Sequence, residues 1–370
     1  MRILITGGAG FIGSLTVDKL VNLGHRVRIF DNLDPQVHPA GHLPNYINKN
    51  AEFKKGDIRD YDSLKRSVRD IDVVFHFAAC VGVGQSQYLI KKYTDVTIGG
   101  TANLLDILVN TKNKVKKVIV AASMSSYGEG LYKCGTCGNV RPGLRSDGQL
   151  KKKRWEPACL CCGKPLKTVA TGEGEEQQCS SIYAITKKAQ EDMALNIARA
   201  YKIPAVGLRY FNVYGPRQTL SNPYTGVCAI FLSMIKNGHS PVIYEDGLQT
   251  RDFVSVHDIV EANILAMNKK EADYQVFNVG SGSPVSIKAI AEILIGLYGK
   301  PLKPKITNQY RKGDIRHCFA DISKARKLLG FAPRINFKDG MKELIEWSRT
   351  ERARDGFEKA RLELKRKGLL

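Results

Sequence analysis

The chain has 370 residues, 43% of them hydrophobic, which suffices for one large domain or two interlocked domains with a sizeable core. No run approaches 18 consecutive apolar residues and no signal peptide opens the chain, so we expect a soluble, cytoplasmic protein without a membrane segment. The formal net charge of +21 would attract anions such as nucleotides, nucleic acid or acidic lipid surfaces. Much of this excess lies in runs that are typical of a solvated surface, for example at 151–154.

Short apolar, β-branched runs alternate with helical patterns over the first third of the chain. The runs at 3–6, 27–31, 73–77 and 118–121 predict strands, and the stretches between them predict helices. This alternation is typical of βαβ units, which build a parallel sheet with helices on both faces. Because such crossovers are right-handed, we predict an α/β fold with a doubly wound, Rossmann-like sheet.

A glycine-rich turn follows the first predicted strand and precedes a helix predicted over 14–23. Gly7, Gly10 and Gly13 stand where a tight turn lets a pyrophosphate approach backbone amides at a helix amino terminus. The second predicted strand ends in Asp31, whose carboxylate can accept hydrogen bonds from the adenosine ribose hydroxyls and would repel a 2′-phosphate. No arginine directly follows Asp31, so the sequence favours NAD over NADP.

Tyr183 and Lys187 lie four residues apart at the start of a helix predicted to run to residue 200, so both side chains project from one face. A tyrosine has an ordinary pKa of about 10, but a neighbouring ammonium and the positive nicotinamide ring of NAD favour its phenolate. Tyr183 can then accept or return a hydroxyl proton. Ser123 follows the fourth predicted strand, at the sheet edge where the cofactor binds, and can share a hydrogen bond with the same substrate hydroxyl.

Residues 129–178 interrupt the alternation with a stretch rich in Gly, Pro, Lys and Cys, which we interpret as an insert and not as part of the sheet. It carries two Cys-x-x-Cys pairs, each followed by a glycine, a spacing that can place four thiolates tetrahedrally around Zn²⁺. We predict a closed structural zinc site, with free thiols or a redox pair as the alternatives. The predicted ligands are Cys134, Cys137, Cys159 and Cys162.

The motifs resemble, almost from end to end, those of the extended short-chain dehydrogenase family, specifically its nucleotide-diphosphate-sugar epimerases and dehydratases. The resemblance implies an NAD-binding Rossmann domain over 1–210 that contains the insert. It also implies a smaller, mixed α/β domain over 211–370, which is mainly substrate-binding but returns some segments to the first domain. The motifs are TGGAGFIG (6–13), FKKGDIRD (53–60), HFAA (76–79), SMSSYG (123–128), YAITK (183–187), RYFNVYGPRQ (209–218), RDFVSVHDI (251–259) and GDIRHCFAD (313–321).

The resemblance also implies a role for each matching position. Catalysis would rest on Ser123, Tyr183 and Lys187. The cofactor would be bound by Gly7, Gly10, Phe11, Ile12, Gly13, Asp31, Asn32, Asp57, Ile58, Phe77, Ala78, Ala79, Tyr183, Lys187 and Tyr210. The nucleotide-diphosphate sugar would be bound by Gln85, Ser123, Ser125, Asn212, Arg251 and Arg316. The last three would hold the diphosphate, for which the planar fork of arginine is well suited.

Two positions after the active-site serine separate the reaction types of this family. The 4,6-dehydratases carry Asp and Glu there and the related decarboxylases a Glu, whereas this chain has Met124 and Ser125. Neither residue can shuttle a proton for water elimination. We therefore predict epimerisation at C4 through a 4-keto intermediate, with NAD retained as a prosthetic group.

The segments around the cysteines and at 81–86 resemble the dTDP-L-rhamnose 4-epimerase branch of the family, which interconverts that sugar with its 6-deoxy-L-talose partner. UDP-glucose or UDP-N-acetylglucosamine is the alternative substrate, and an NADPH-dependent sugar reductase is a further alternative. Another is a non-catalytic relative that binds RNA through its basic surface and zinc knuckles, although aromatic residues do not interleave the basic runs.

The resemblance also implies a homodimer, formed through the helix that carries Tyr183 and Lys187 and the helix near 101–108. One departure from the family pattern is Thr97, where the motif usually has Asn. We expect this change to affect packing near the cofactor more than the chemistry.

Overall fold

The computed structural model describes residues 1–38 and 41–370. In chain order the strands are β1 (Arg2–Thr6), β2 (Arg26–Asp31), β3 (Glu52–Lys55), β4 (Val73–His76), β5 (Lys117–Ser123), β6 (Leu131–Cys134), β7 (Gly138–Val140), β8 (Leu166–Val169), β9 (Ala205–Tyr210), β10 (Asn212–Tyr214), β11 (Val242–Ile243), β12 (Thr250–Ser255), β13 (Val276–Val279), β14 (Pro284–Ser286), β15 (Lys305–Ile306) and β16 (His317–Cys318). The helices are α1 (Phe11–Asn22), α2 (Tyr61–Val68), α3 (Val83–Ser86), α4 (Ile90–Tyr93), α5 (Gly100–Asn110), α6 (Asp147–Lys151), α7 (Ile182–Tyr201), α8 (Val227–Lys236), α9 (Val256–Asn268), α10 (Ile287–Tyr298), α11 (Ser323–Leu329), α12 (Phe337–Thr350) and α13 (Phe357–Arg366).

A seven-stranded parallel sheet forms the centre of the fold, in the order β3-β2-β1-β4-β5-β9-β13. The four strands predicted from the first third of the chain are confirmed as β1, β2, β4 and β5. The strand order reverses between β1 and β4, which opens a crevice at their carboxyl ends. The doubly wound sheet expected from the sequence is therefore confirmed, and its crevice lies beside the glycine-rich turn.

Helices cover both faces of this sheet because successive strand residues point to opposite sides. Ile3 and Ile5 of β1 pack into a core with buried residues of α1, α9 and α11. Leu4, between them, packs into a second core with α2, α5 and α7. α9, α11 and β13 follow residue 211, so the later part of the chain contributes to the central-sheet layer.

A separate core lies in the later part of the chain, where buried residues of α8, α10 and α12 pack together, among them Leu232, Leu294 and Leu344. Beside it, β12 pairs with β10, β14 and β16, and β11 pairs with β15. We call the layer formed by α8, α10, α12, β10–β12 and β14–β16 the substrate-binding part, after the role that the family resemblance predicts for it. In the two described ranges, no helix is both long enough and apolar enough to cross a membrane.

The insert forms a small antiparallel sheet of its own, in which β6 pairs with β7 on one side and β8 on the other. It leaves and rejoins the main fold at one place, since the Gln178 amide donates to the Tyr127 carbonyl oxygen at 3.3 Å. Its first and last residues therefore lie close together between β5 and α7.

Candidate active site

The glycine-rich turn after β1 has no room for side chains. Gly7 has a φ of +71°, and a Cβ there would lie 2.9 Å from the Ala78 nitrogen at the end of β4. A Cβ on Gly13 would overlap the Gly7 carbonyl oxygen. Gly10, in extended backbone, precedes α1, which begins three residues before its predicted start. The helix amino terminus and a bare backbone thus face the crevice, an arrangement that suits a pyrophosphate.

Asp31 closes the other side of this turn. Its carboxylate accepts hydrogen bonds from the Ala9 amide at 3.0 Å and from the Leu33 amide at 2.9 Å. A carboxylate has about four acceptor positions, so Asp31 retains capacity for ribose hydroxyls. Together the turn and the carboxylate fit the adenosine half of NAD.

Arg59, which directly follows the expected cofactor residues Asp57 and Ile58, is held by Asp57. The guanidinium makes two hydrogen bonds to that carboxylate, at 2.9 and 2.8 Å. Hydrogen bonds from Arg59 lower the pKa of Asp57 to about 2. Because Arg59 is already paired, it offers little to a 2′-phosphate, in agreement with the preference for NAD inferred from Asp31.

A cavity of about 680 Å³ extends from the glycine turn to the substrate-binding part. Its wall contains both the expected cofactor residues and the expected chemical groups. The expected cofactor residues on the wall are Gly7, Gly10, Phe11, Ile12, Gly13, Asp31, Asn32, Asp57, Ile58, Phe77, Ala78, Ala79 and Tyr210. The expected reaction and substrate residues there are Gln85, Ser123, Ser125, Tyr183, Lys187, Asn212 and Arg251.

Tyr183 lies in the first turn of α7, which is capped by the Ser181 hydroxyl accepting from the Ala184 amide at 3.1 Å. The backbone amide of Tyr183 donates to the Ser86 hydroxyl at 3.0 Å, which ties this turn to α3. Burial raises the pKa of Tyr183, and the nearby Ser123 hydroxyl opposes that rise. The two hydroxyl groups expected to share a substrate hydroxyl are therefore close together.

The segment after β5 carries no carboxylate beside these hydroxyls. The Ser125 hydroxyl donates to the Ser123 hydroxyl at 2.9 Å, and Met124 is buried. Among the described residues, the carboxylates on the cavity wall belong to other segments of the chain: Asp31, Asp34, Asp57, Glu245 and Asp314. Among the described residues, the segment after β5 thus supplies no acid hydrogen-bonded to Ser123 that could assist the loss of water.

Lys187 lies one turn after Tyr183 and is 4% exposed. Burial lowers its pKa to about 7, although Glu191 acts in the opposite direction. Its ammonium donates to the Gln190 side-chain oxygen at 2.5 Å. The lysine can therefore gain or lose a proton near neutral pH.

A buried polar chain continues from Gln190 under the cofactor crevice. The Gln190 amide donates to the Thr101 hydroxyl at 3.2 Å, and that hydroxyl lies 3.0 Å from His76 Nε2. His76 Nδ1 in turn lies 2.8 Å from the Thr6 hydroxyl at the end of β1. Burial, assisted by Lys187, lowers the pKa of His76 to about 3, so this ring is neutral at physiological pH.

Lys187→Met should stabilise the NAD-free protein. The pKa of Lys187 falls from 10.5 to about 7 on folding. Between pH 7 and 10.5 the unfolded chain therefore binds more protons than the folded chain, and the free energy of unfolding rises with pH. Removing the lysine should raise the free energy of unfolding by roughly 2 kcal/mol at pH 8, after allowance for the lost hydrogen bond to Gln190. Urea unfolding at pH 7, 8 and 9.5 measures this effect.

The matched control for this substitution is Lys188→Met, at the adjacent and more exposed lysine, which should change the free energy of unfolding by less than about 0.5 kcal/mol. A Lys187→Met protein that is less stable than the wild type at pH 8 would contradict the prediction.

At the substrate end of the cavity, Arg251 donates to the carbonyl oxygens of Ile315 and Arg316 at 2.7 and 2.9 Å. Asn212 also lines the cavity, and its buried side-chain oxygen has no hydrogen-bond partner in the described residues. Buried polar atoms are normally paired, so an unpaired one on a cavity wall indicates a ligand contact.

The assignment of Arg316 to the substrate diphosphate needs correction. Its side chain is fully buried away from the cavity wall, and it makes five hydrogen bonds to the carboxylates of Glu156, Glu245 and Asp246. Arg311, five residues earlier, lines the cavity instead. The sequence signal for it was an arginine in the segment Arg-Lys-Gly-Asp, beside the motif that contains Arg316.

Four of the five cysteines of the insert, Cys134, Cys137, Cys159 and Cys162, come together away from the cavity. Their sulfur atoms lie within 4.8 Å of one another, and those of Cys134 and Cys162 are 3.5 Å apart. Tetrahedral Zn²⁺ with Zn–S bonds of about 2.3 Å separates its ligand sulfurs by about 3.8 Å. Backbone amides of Cys162 and Cys161 lower the pKa of the Cys159 thiol to about 6. This donor set fits a closed zinc site.

Two family models match the chain. The NAD dependent epimerase/dehydratase family matches residues 162–280, and the GDP-mannose 4,6 dehydratase model matches residues 4–133. The two matches fall on either side of most of the insert.

Similar proteins match over nearly their whole length. A dTDP-L-rhamnose 4-epimerase of Burkholderia thailandensis is 33% identical over 350 residues, covering 94% of each chain. The UDP-glucose 4-epimerase of Thermotoga maritima, solved with UDP-glucose, is 32% identical with a TM-score of 0.77, covering 94% of this chain and 99% of that one. A UDP-glucuronic acid 4-epimerase of Bacillus cereus, solved with UDP-glucuronic acid and NAD, is 28% identical with a TM-score of 0.77 and the same coverage.

Proposed function

Because the chain belongs to the NAD dependent epimerase/dehydratase family and is an NAD-dependent nucleotide-sugar 4-epimerase, we propose that its substrate is dTDP-L-rhamnose and its product dTDP-6-deoxy-L-talose. The observation that carries the C4 reaction is the grouping of Ser123, Tyr183 and Lys187 on one cavity wall, with no carboxylate among the described residues 124–127 that follow Ser123. The choice of sugar is supported by the similarity to the Burkholderia thailandensis protein and by the motifs around the insert.

Ser123, Tyr183 and Lys187 have separate roles in the proposed proton transfer. Tyr183 takes the proton of the C4 hydroxyl at its phenolate oxygen, while Ser123 holds that hydroxyl by a hydrogen bond. Lys187 has a pKa of about 7, and its protonated form supplies positive charge that favours the phenolate. The glycine-rich turn and Asp31 would hold NAD, which would supply the acceptor for the C4 hydride and the donor for its return. Tyr183 then gives its proton back to the C4 oxygen.

Epimerisation further requires that the 4-keto sugar turn over before the hydride returns to the opposite face. An anchor on the diphosphate and a loosely held hexose permit this rotation. Asn212, Arg251 and Arg311 lie on the cavity wall, and guanidinium groups bind phosphate oxygens in two-pronged pairs, which supports these three residues as that anchor.

We also propose that Cys134, Cys137, Cys159 and Cys162 hold a structural Zn²⁺, supported by the closeness of their sulfur atoms. The homodimer through α5 and α7 stays a prediction, which the half-exposed Ile185 on α7 supports.

The test is incubation of the purified protein with a panel of dTDP-, UDP-, GDP- and CDP-sugars, followed by NMR for epimer formation. We expect dTDP-L-rhamnose and its C4 epimer to reach the same mixture from either side without added NAD. Turnover of UDP-glucose or UDP-N-acetylglucosamine alone would establish the alternative substrate. Stoichiometric NADPH consumption would identify a reductase, and salt-dependent RNA binding without bound NAD or turnover would identify a non-catalytic relative.

A further inference from the structure

The segment of the insert between its two cysteine pairs reaches the substrate-binding part. We call residues 141–158, which join β7 to Cys159, the arm. Two charged side chains of the arm, Arg145 and Glu156, form ion pairs with residues of the substrate-binding part. Neither residue lines the cavity, and neither has a role in the proton transfer.

Arg145 makes the more deeply buried of these contacts. Its side chain is 1% exposed and forms a two-pronged ion pair with Glu245, with both N–O distances 2.8 Å. The same guanidinium donates to the carbonyl oxygen of Asp314 at 3.1 Å. One arginine of the arm thus holds two segments that are distant in sequence.

Glu156 makes the second contact, through Arg316 and His317. It accepts from Arg316 Nε at 2.8 Å and lies 3.0 Å from His317 Nε2. Arg316 also forms an ion pair with Glu245 at 2.9 Å. The contact of Arg145 and the contact of Glu156 are therefore joined at the buried Glu245 carboxylate. Glu129, at the start of the insert, accepts from the backbone amides of Arg316 and His317 at 2.7 Å.

The segments held by the arm form the substrate end of the cavity. Glu245 and its neighbour Tyr244 line the wall, and Glu245 has a φ of +55°, a conformation that a non-glycine residue keeps only where its surroundings fix it. Asp314 accepts from Arg311 Nε at 2.8 Å, and the Arg311 guanidinium lies over the Tyr244 ring, 5.0 Å from its centre.

We propose that Arg145 and Glu156 are positioning residues for the substrate, which hold the segments of Tyr244–Glu245 and Arg311–Asp314 in the geometry that binds the nucleoside diphosphate. This inference rests on the proposed function, because it requires a nucleoside diphosphate at that end of the cavity. A preformed site binds more tightly than one that must order on binding. Loss of the arm contacts should therefore weaken substrate binding and leave the chemistry at Tyr183 largely intact.

The test compares Arg145→Met and Glu156→Gln with Arg154→Met, a matched control at an exposed arginine of the same arm. Calorimetric titration of the purified proteins with dTDP and with UDP gives the affinity, and the epimerase assay gives KM and kcat separately. Arg145→Met should raise Kd and KM about tenfold, and Glu156→Gln about threefold, with kcat within about twofold of wild type. NAD and metal content should not change, and Arg154→Met should behave as wild type.

If the wild type binds dTDP or UDP and both arm variants bind the same nucleotide equally tightly, the positioning role is overturned and the proposed function still stands. Absence of binding to either nucleotide by the wild type would instead overturn the proposed function, and the positioning role with it. If Arg145→Met fails to fold, Glu156→Gln decides, because the Glu156 side chain is 59% exposed and its replacement leaves the buried pair of Arg145 in place.

Discussion

Tyr183→Phe is expected to lower kcat for epimerisation about a thousandfold. The substitution removes the phenolic oxygen that accepts and returns the C4 proton, and general acid–base groups contribute about 10² to 10⁴ to such rates. The ring is retained, so bound NAD and the KM for the nucleotide sugar should stay close to wild type. Steady-state kinetics, with NAD content measured after denaturation of the protein, checks both expectations.

Tyr201→Phe is the matched control, because Tyr201 ends the same helix and is 53% exposed. It should retain the kcat of the wild type. A Tyr183→Phe protein with more than about a tenth of wild-type kcat would exclude Tyr183 as the proton-transfer group. A parallel loss of NAD would show that the substitution disturbs the cofactor site and not only proton transfer.

Cys134→Ser is expected to reduce bound zinc from about one ion per chain to none and to unfold the insert. Apparent binding free energies of structural zinc reach about 10–16 kcal/mol in small zinc domains, so loss of the metal removes a large stabilisation of this segment. Metal analysis of protein purified without added zinc measures occupancy, and susceptibility of residues 129–178 to limited proteolysis measures local unfolding.

Cys161→Ser provides the control, because Cys161 is exposed and lies between two of the proposed ligands without belonging to the sulfur cluster. It should keep both the metal and the proteolytic resistance of the wild type. Absence of metal from the wild type, together with oxidation of the four thiols to disulfides in air, would favour the redox alternative.

The central sheet could be predicted because its strands are short, apolar and separated by helical patterns. β3 escaped prediction, since three residues of Glu52–Lys55 are charged and the strand lies at the sheet edge. An edge strand with few buried side chains has little apolar signal to distinguish it from a loop. The hydrophobic pattern therefore identified β1, β2, β4 and β5 and missed β3 at one border, while no strand was predicted for β9 or for β13 at the other border.

The chemical groups could be predicted because Ser123, Tyr183 and Lys187 occur in fixed order with distinctive neighbours. The choice between Arg311 and Arg316 could not, because both are arginines of one loop. Glu156 and Glu245, which draw Arg316 away from the cavity, lie 160 and 71 residues from it in sequence. A contact set by such distant partners leaves no local pattern.

The buried chain that joins Lys187 to His76 was missed for a related reason. Its members are ordinary polar residues, and Gln190 meets Thr101 across 89 residues of sequence. Only the packing of α7 and α5 beside β4 brings them together, and that packing is a property of the fold.

The adjacent ends of the insert have a consequence for how this chain can change. Tyr127 and Gln178 are hydrogen-bonded neighbours, so the whole insert can be gained, lost or exchanged in a single recombination event without moving a strand of the central sheet. The oxidation and reduction chemistry would persist through such an exchange, because its groups lie outside the exchanged segment. A homologous chain with a different insert would therefore keep the groups of its reaction, while the contacts that hold the segments Tyr244–Glu245 and Arg311–Asp314 would change with the insert.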